Sequence, residues 1–136
     1  MTAWDGAGYT PKKPTRNRAS AKKAGASFEQ QTADYLQDRL DDDRIERRVM
    51  GGINDRGDIS GVRFLGHRVV IECKNVKTMS LGAWVEEAKT EAGNDDALLG
   101  VVVHKRRGKG QAADQFVTLT LEDFTTLLLG GAADES

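Results

Sequence analysis

The sequence predicts an α/β fold, in which a mixed central sheet carries helices on both of its faces. Segments with apolar residues at helical spacing alternate along the chain with short runs rich in valine and isoleucine, and these patterns indicate helices and strands. The run 97–103 is nearly continuously apolar, as expected for a strand that is buried on both faces of a sheet. The predicted order of elements is α-β-β-β-α-β, followed by one more strand and a C-terminal helix.

The first helix is predicted to start at Ser27 and to end near Leu40. Ser27 and Gln30 have the spacing of a capping box, in which the serine side chain accepts a hydrogen bond from the backbone of the first turn. Glu29 shares a helix face with Leu36, which puts its carboxylate at the border of the apolar stripe, where an acid needs a partner. Alternatively, Glu29 only complements the positive end of the helix dipole.

Three strands are predicted next, at 45–50, 58–62 and 68–74. The second and third are expected to form a hairpin, because residues 64–66 fit a three-residue loop with glycine at the left-handed position. The register that this loop sets puts Asp58 opposite Glu72.

Charged residues follow directly on the apolar run of the third strand. Strand side chains alternate between faces, so Glu72 and Lys74 are predicted to share one face, while Cys73 points to the other face as a core thiol. With Asp58 opposite Glu72, two carboxylates and a lysine converge on one patch of the sheet. The structural alternatives are that Asp58 is an ordinary turn residue and that Glu72 and Lys74 form a solvated ion pair.

The remainder of the chain is predicted to form helix, strand, strand and helix at 80–93, 97–103, 116–119 and 120–130. Ser80 and Thr120 are expected to cap the two helices, and Gly93 and Gly130 mark their ends. Trp84 falls in the apolar stripe of the first of these helices, so it is predicted to be a core residue rather than one that stacks on a nucleic-acid base.

Length and composition limit the class of protein. The chain has 136 residues, of which 38% are hydrophobic and 30% are charged, as expected for one soluble domain. The predicted organisation is a basic arm at 1–23, a domain at 24–130 and an acidic tail at 131–136. One cysteine excludes an internal disulfide and a multi-cysteine zinc site. The sequence has neither an apolar signal region nor a membrane-length apolar run, so a cytoplasmic protein without membrane contact is expected.

Basic residues are concentrated in two segments, although the net charge is only −1. The arm 1–23 holds six cations against Asp5, and it is expected to be disordered and to contact DNA phosphates. A second basic segment, 104–110, is expected to be a flexible loop that also contacts phosphates. The predicted DNA-binding residues are Lys12, Lys13, Arg16, Arg18, Lys22, Lys23, Lys105, Arg106, Arg107 and Lys109. The alternatives are a solubilising tail and a solvated hairpin tip.

The acids and the lysine of the predicted hairpin resemble the motif of the PD-(D/E)xK nuclease superfamily, and within it the small Holliday-junction resolvases of archaea and phages. Asp58 matches the first acid of the motif, Glu72 the second and Lys74 the lysine. Gly57 stands where the family has proline. The resemblance covers roughly residues 24–120 and implies a restriction-endonuclease-like core.

The resemblance implies a metal-dependent DNA endonuclease that is selective for branched DNA. The implied metal ligands are Asp58, Glu72, Glu29 and the backbone carbonyl of Cys73. The expected ion is Mg²⁺, which Mn²⁺ can replace, since hard cations prefer oxygen ligands. The implied catalytic residues are Asp58, Glu72, Lys74 and Glu29, with Lys74 activating the attacking water. Branched DNA needs two cuts and the chain offers one site, so a homodimer is expected, formed through the last helix or the second helix.

Two other functions stay open on the sequence alone. One is a nuclease of the same fold that acts on duplex, flap or single-stranded DNA during replication or repair. The other is a non-catalytic DNA-binding accessory protein, against which the acid–acid–lysine set argues, since a phosphate binder gains nothing from carboxylates at its centre. An HNH nuclease is disfavoured because the chain has only two histidines, His67 and His104.

Overall fold

The computed structural model describes residues 5–6, 8–9, 18–49 and 56–131, and these residues form an α/β protein in which helices pack against a mixed six-stranded open sheet. The helices are α1 (Arg18–Leu40), α2 (Leu81–Asn94) and α3 (Leu121–Leu128), with a 3₁₀ turn at Ala112–Asp114. The strands are β1 (Asp5–Gly6), β2 (Gly8–Tyr9), β3 (Glu46–Arg47), β4 (Ile59–Ser60), β5 (Arg63–Phe64), β6 (His67–Lys74), β7 (Leu99–His104) and β8 (Phe116–Thr118). From α1 onwards this order confirms the predicted one, with β5 as an addition.

The central sheet has the strand order β3-β4-β6-β7-β8, and the short β5 also pairs with β6. β6 and β7 are parallel, while the other pairs are antiparallel. α2 joins the two parallel strands, which need a crossover connection of this kind. The register places Lys74 beside His104 at the carboxyl ends of both strands. β1 and β2 form a separate two-stranded pair.

α1 begins at Arg18, so the predicted start at the capping residue Ser27 is wrong. The segment ahead of Ser27 is rich in alanine, arginine and lysine, which are strong helix formers, and the helix therefore continues through the serine. Three cations of the predicted arm, Arg18, Lys22 and Lys23, are consequently exposed side chains on the early turns of α1.

Several predictions concern residues outside the described ranges. These residues are the arm cations Lys12, Lys13 and Arg16, the loop 51–55 and the tail 132–136. The predicted strand 45–50 is represented among the described residues by the shorter β3. In the part of the chain that the structure describes, every helix is too short or too polar to cross a membrane.

The hairpin has the predicted register but not the predicted loop. β5 pairs with β6, which leaves Leu65–Gly66 as a two-residue turn with φ angles of 50° and 86°, the signs of a type I′ turn. Gly61, with a φ of 89°, adds one residue to the first arm of the hairpin as a bulge. The bulge cancels the shift caused by the shorter loop, so Ile59 lies opposite Ile71, as the predicted register requires.

The two faces of the sheet are packed by different helices, as predicted. On one face, Phe28 of α1 belongs to a core cluster with Ile71 of β6, and α3 reaches the same cluster through Leu127. On the other face, Trp84 of α2 packs with Val102 of β7. Trp84 is 8% exposed, which confirms its prediction as a core residue.

The close approach of α2 to β7 depends on Gly100. A Cβ atom at this position would overlap the backbone oxygen of Ala88. Gly100→Ala is therefore expected to displace α2 from the sheet and to lower the free energy of unfolding by about 1–3 kcal/mol, measured by urea denaturation. Gly82→Ala is the control, because a Cβ there meets nothing within 4 Å. Equal stability of the two variants would contradict this packing.

Candidate active site

The carboxyl-terminal end of β6 places an acid and a lysine on the face that α2 covers. Glu72 is only 5% exposed, and its Oε2 atom lies 3.2 Å from Nζ of Lys74. Cys73 belongs to the core on the opposite face, as the alternation of strand side chains predicts. The Glu72–Lys74 pair is therefore largely buried, which argues against a solvated surface ion pair.

Two further acids approach this pair from α2, and the sequence pattern alone did not reveal them. Glu87 and Glu91 lie one helical turn apart, and one carboxylate oxygen from each lies within 4.8 Å of one from Glu72 and of each other. Oε1 of Glu87 is 2.7 Å from Nζ of Lys74, so the ammonium bridges α2 and β6. Glu91 is 2% exposed. Its place beside Ala92 in the apolar stripe of α2 is the signal that could have identified a buried acid.

Asp58 lies at the turn that leads into β4, next to the same end of β6. Its Oδ2 atom accepts a hydrogen bond of 2.8 Å from the backbone N–H of Cys73, and its own N–H donates to the carbonyl of Ile71 at 2.8 Å. The preceding Gly57 has a φ of 96°, which proline, with φ near −65°, cannot adopt. The conformation at this position therefore favours the glycine that the sequence has there.

Asp58, which is partly buried, and the buried Glu72 form a pair of neighbouring acids. Burial raises the pKa of Asp58 to about 8, and the nearby carboxylate of Glu72 adds to the rise. The pKa of Glu72 is also raised, first by burial and then by the neighbouring Glu91 and Glu87. Oε1 of Glu72 is buried and has no hydrogen-bond partner among the residues that the structure describes. Acids in such surroundings either bind a cation or keep their protons.

Lys74 supplies positive charge to this acidic site. Burial lowers the pKa of Lys74, but its contacts with Glu87 and Glu72 outweigh burial and raise the pKa above the ordinary value. The side chain is therefore an ammonium at neutral pH, held between two carboxylates. A single ammonium cannot neutralise the whole group of acids around it.

Glu29 lies at the partly buried border of α1, as predicted, but its carboxylate has a partner on β3. Oε1 of Glu29 lies 2.9 Å from Nε of Arg47. Its negative charge still contributes to the raised pKa of Asp58, so the two acids are neighbours. The ion pair with Arg47 compensates the partly buried charge of Glu29, so a metal ion is not needed for this purpose. Glu29 also lies outside the tight group formed by Glu72 and the acids of α2.

Cys73 is a buried thiol, as predicted, and contributes to the site through its main chain. Burial, together with the negative charge of Asp58, raises the pKa of the thiol, so it is neutral at physiological pH. The backbone N–H of Cys73 holds the carboxylate of Asp58 in place. The side chain of this residue therefore belongs to the core, while its backbone N–H fixes an acid of the site.

The basic segment 104–110 is more ordered than the predicted flexible loop. His104 is the last residue of β7, is 5% exposed, and places Nε2 at 2.8 Å from Oγ1 of Thr118. Burial lowers the pKa of His104. The side chain of Gln115 accepts a hydrogen bond from the backbone N–H of Arg106 and donates to the backbone carbonyls of Lys109 and Gln111. These contacts give the loop a defined conformation.

The four predicted phosphate-binding cations of this loop differ in their contacts. Arg106 lies over the ring of Phe116, 4.5 Å from its centroid, and Lys105 donates a hydrogen bond from Nζ to the carbonyl of Arg106. Arg107 and Lys109 have exposed side chains. Within this loop, Arg107 and Lys109 are therefore the residues most accessible to a ligand.

No protein-family model, curated protein or solved structure significantly matches this chain. Its function is therefore inferred from its residues and their geometry.

Proposed function

We propose that the protein is a Mg²⁺-dependent DNA endonuclease of the PD-(D/E)xK type, with a restriction-endonuclease-like core, which cleaves branched DNA as Holliday-junction resolvases do. The observation that best supports this proposal is the convergence of the partly buried Asp58 and the buried Glu72, both with raised pKa values, beside the ammonium of Lys74. Perturbed acids of this kind, next to a cation, are typical of sites for metal-assisted phosphodiester hydrolysis.

The acids at the end of β6 fit a hard divalent cation. Glu72 has a buried oxygen without a hydrogen-bond partner among the described residues, and Asp58 is close enough for Glu72 to raise its pKa. Mg²⁺, which Mn²⁺ can replace, prefers carboxylate oxygens as ligands. Glu29 and the backbone carbonyl of Cys73 are proposed as further ligands. Glu29 would then exchange its contact with Arg47 for one with the ion.

The proposed mechanism assigns separate tasks to the residues of the site. When bound, Mg²⁺ lowers the pKa of a coordinated water and offsets the negative charge that develops on the phosphate. Lys74 donates hydrogen bonds to the attacking water or to a phosphate oxygen. Glu87 keeps the ammonium of Lys74 in position through their 2.7 Å contact. The N–H of Cys73 orients the carboxylate of Asp58 as a ligand.

Two paired cuts in branched DNA call for two copies of the site, so the proposal includes a homodimer. The exposed apolar surface at α3 and β8 supports it. Leu121 and Leu128 on α3 are 77% and 71% exposed, and Phe116 and Val117 on the edge strand β8 are more than half exposed. An edge strand with apolar side chains beside an apolar helix is a surface that a second copy can cover.

Cleavage assays on a set of labelled DNA substrates test the proposed function. The full chain is incubated with a four-way junction, a flap, a single strand and a linear duplex, each with Mg²⁺ or with EDTA. We expect paired, symmetric cuts in the four-way junction with Mg²⁺ and no cleavage with EDTA. Preferential cleavage of flaps or duplex would favour a repair nuclease of the same fold. DNA binding without cleavage, with either Mg²⁺ or Mn²⁺, would contradict the proposed nuclease function.

A non-catalytic DNA-binding protein is the second candidate, and the ion pairs of Lys74 favour it. In that case Lys74 ties β6 to α2 through Glu72 and Glu87, and the acids have no further role. The raised pKa of Asp58 favours the nuclease instead, because Asp58 is a partly buried acid without an ion pair to any described residue. The cleavage assay separates the two candidates directly.

A further inference from the structure

A cavity of about 250 Å³ opens beside Lys74, at the carboxyl ends of the parallel strands β6 and β7. Cations and apolar side chains both contribute to its lining, among them Lys74, Lys77, Lys105, Arg107, Met79 and Trp84. The carboxyl ends of parallel strands are where open α/β sheets commonly bind their ligands. The cavity therefore adjoins the proposed active site.

The fold assembles this lining from distant parts of the sequence. After Lys74, the chain leaves β6 towards α2 and contributes Lys77 and Met79. After His104, the neighbour of Lys74 in the parallel register, the chain leaves β7 and contributes Arg107. The sequence predicted Arg107 as a phosphate ligand, whereas Lys77 gave no signal.

The cations of the cavity differ in the contacts that they already make. Lys74 is held by the acids of β6 and α2, and Lys105 donates its Nζ hydrogen bond to the carbonyl of Arg106. Lys77 and Arg107 are exposed, and neither forms an ion pair with a residue that the structure describes. These two side chains can therefore bind an anionic ligand without breaking an existing ion pair to the described residues.

The apolar part of the lining narrows the class of ligand. Met79 is 60% exposed and Val76 is 56% exposed, whereas Trp84 is 8% exposed and forms the buried part of the lining. Exposed apolar side chains next to cations suit a ligand that has both an apolar surface and a negative charge. A nucleotide has both, while contact with a phosphate alone would need only the cations.

We propose that this cavity binds one unstacked nucleotide of the cleaved DNA strand, next to the scissile phosphate. Lys77 and Arg107 bind its phosphate, and its base lies against the exposed Met79 and Val76, while Trp84 remains the buried part of the lining. Because the bases of a regular duplex are stacked, such a pocket favours strands that leave the duplex, as at a junction or a flap. This inference deepens the proposed nuclease function and rests on it.

Binding measurements on the full chain in EDTA test the pocket separately from catalysis. The probe is a labelled oligothymidylate, compared with a probe of the same length that carries abasic nucleotides. Arg107→Ala and Lys77→Ala should each weaken binding of the oligothymidylate about tenfold, since each removes a charged hydrogen-bond donor. Arg39→Ala is the control. It removes an exposed cation from the last turn of α1, outside the cavity lining, and it should weaken binding about twofold or less.

Met79→Ala separates the contribution of the base from that of the phosphate. It should remove most of the preference for oligothymidylate over abasic DNA, whereas Arg107→Ala should weaken both probes alike. Trp84 is a second reporter once Trp4, the other tryptophan, is replaced by phenylalanine. Its fluorescence should change with the oligothymidylate and should change less with the abasic probe or with inorganic phosphate.

Two results would overturn the proposal. If Arg107→Ala and Arg39→Ala lose the same affinity, the protein binds DNA through general charge attraction and not through this cavity. If the wild-type protein binds the oligothymidylate and the abasic probe with equal affinity, the cavity does not bind the base. Failure of the proposed nuclease function would give another result. The pocket would then bind the oligothymidylate as expected, but no DNA substrate would be cut with Mg²⁺.

Discussion

Replacing Asp58 by asparagine, or Glu72 by glutamine, is expected to reduce Mg²⁺-dependent DNA cleavage by at least about 100-fold. Each substitution removes a charged oxygen ligand while it keeps the size of the side chain, so the ion should bind weakly or in the wrong position. DNA binding in EDTA should be preserved, because each change removes a negative charge and leaves every cation in place.

Glu86→Gln is the matched control for these two variants. Glu86 is an exposed acid on α2, next to Glu87 in sequence but outside the tight group of carboxylates. Single-turnover cleavage of the preferred substrate gives the rates, and fluorescence anisotropy gives the affinities. If Asp58→Asn and Glu72→Gln cleave as fast as Glu86→Gln, these acids do not hold the catalytic ion.

The metal-free protein is expected to lose stability as the pH rises through neutrality. The ordinary pKa of Asp58, 3.8, applies in the unfolded chain, whereas its pKa in the folded protein is about 8. Between these values the folded protein keeps a proton that the unfolded chain has released, so the free energy of unfolding falls with increasing pH and stays low above the folded pKa. The raised pKa of Glu72 acts in the same direction. From about pH 5 to the folded pKa, at roughly 1.4 kcal/mol per unit, Asp58 accounts for a loss on the order of 4 kcal/mol at most.

Urea denaturation in EDTA at about pH 5, 7 and 9 measures this effect. Asp58→Asn should flatten the pH profile and should be more stable than the wild-type protein at the highest pH. Glu91→Gln should flatten it in part, since Glu91 is a neighbour that raises the pKa of Glu72. Mg²⁺ should stabilise the wild-type protein most at high pH, where the acids are ionised, and Asp58→Asn least. Stability that does not change with pH would mean that both acids are ionised in the folded protein.

The sequence by itself determined the alternation of helices and strands and the direction of the side chains on β6. Strand side chains alternate with a period of two, which is a local property, so the opposite faces of Glu72 and Cys73 followed from their adjacent positions. The same holds for Trp84, whose place in the apolar stripe of α2 predicted a core residue. Thr120 was also predicted correctly, since its side chain accepts a hydrogen bond from the N–H of Asp123 at the start of α3. The same prediction for Ser80 was wrong, because its side chain makes no capping hydrogen bond at the start of α2.

Local signals failed where two of them competed. Ser27 and Gln30 have the spacing of a capping box, but the residues before them are good helix formers, and the continuing helix prevailed. The hairpin loop is one residue shorter than predicted, yet the register is the predicted one because Gly61 adds a bulge. A turn and a bulge each shift the register by one residue, and only the paired strands reveal that the two shifts cancel.

Only the tertiary structure decided which charged groups meet. Glu87 and Glu91 on α2 face Glu72 and Lys74 on β6 because α2 packs closely on the sheet, where Gly100 leaves room for its backbone. In the same way, Arg47 meets Glu29, and Lys77 meets Arg107 at one cavity. The pattern within a helix or strand encodes which face of that element a residue occupies. The partner on the next element depends on how the two elements pack, and that is set by side chains far apart in the sequence.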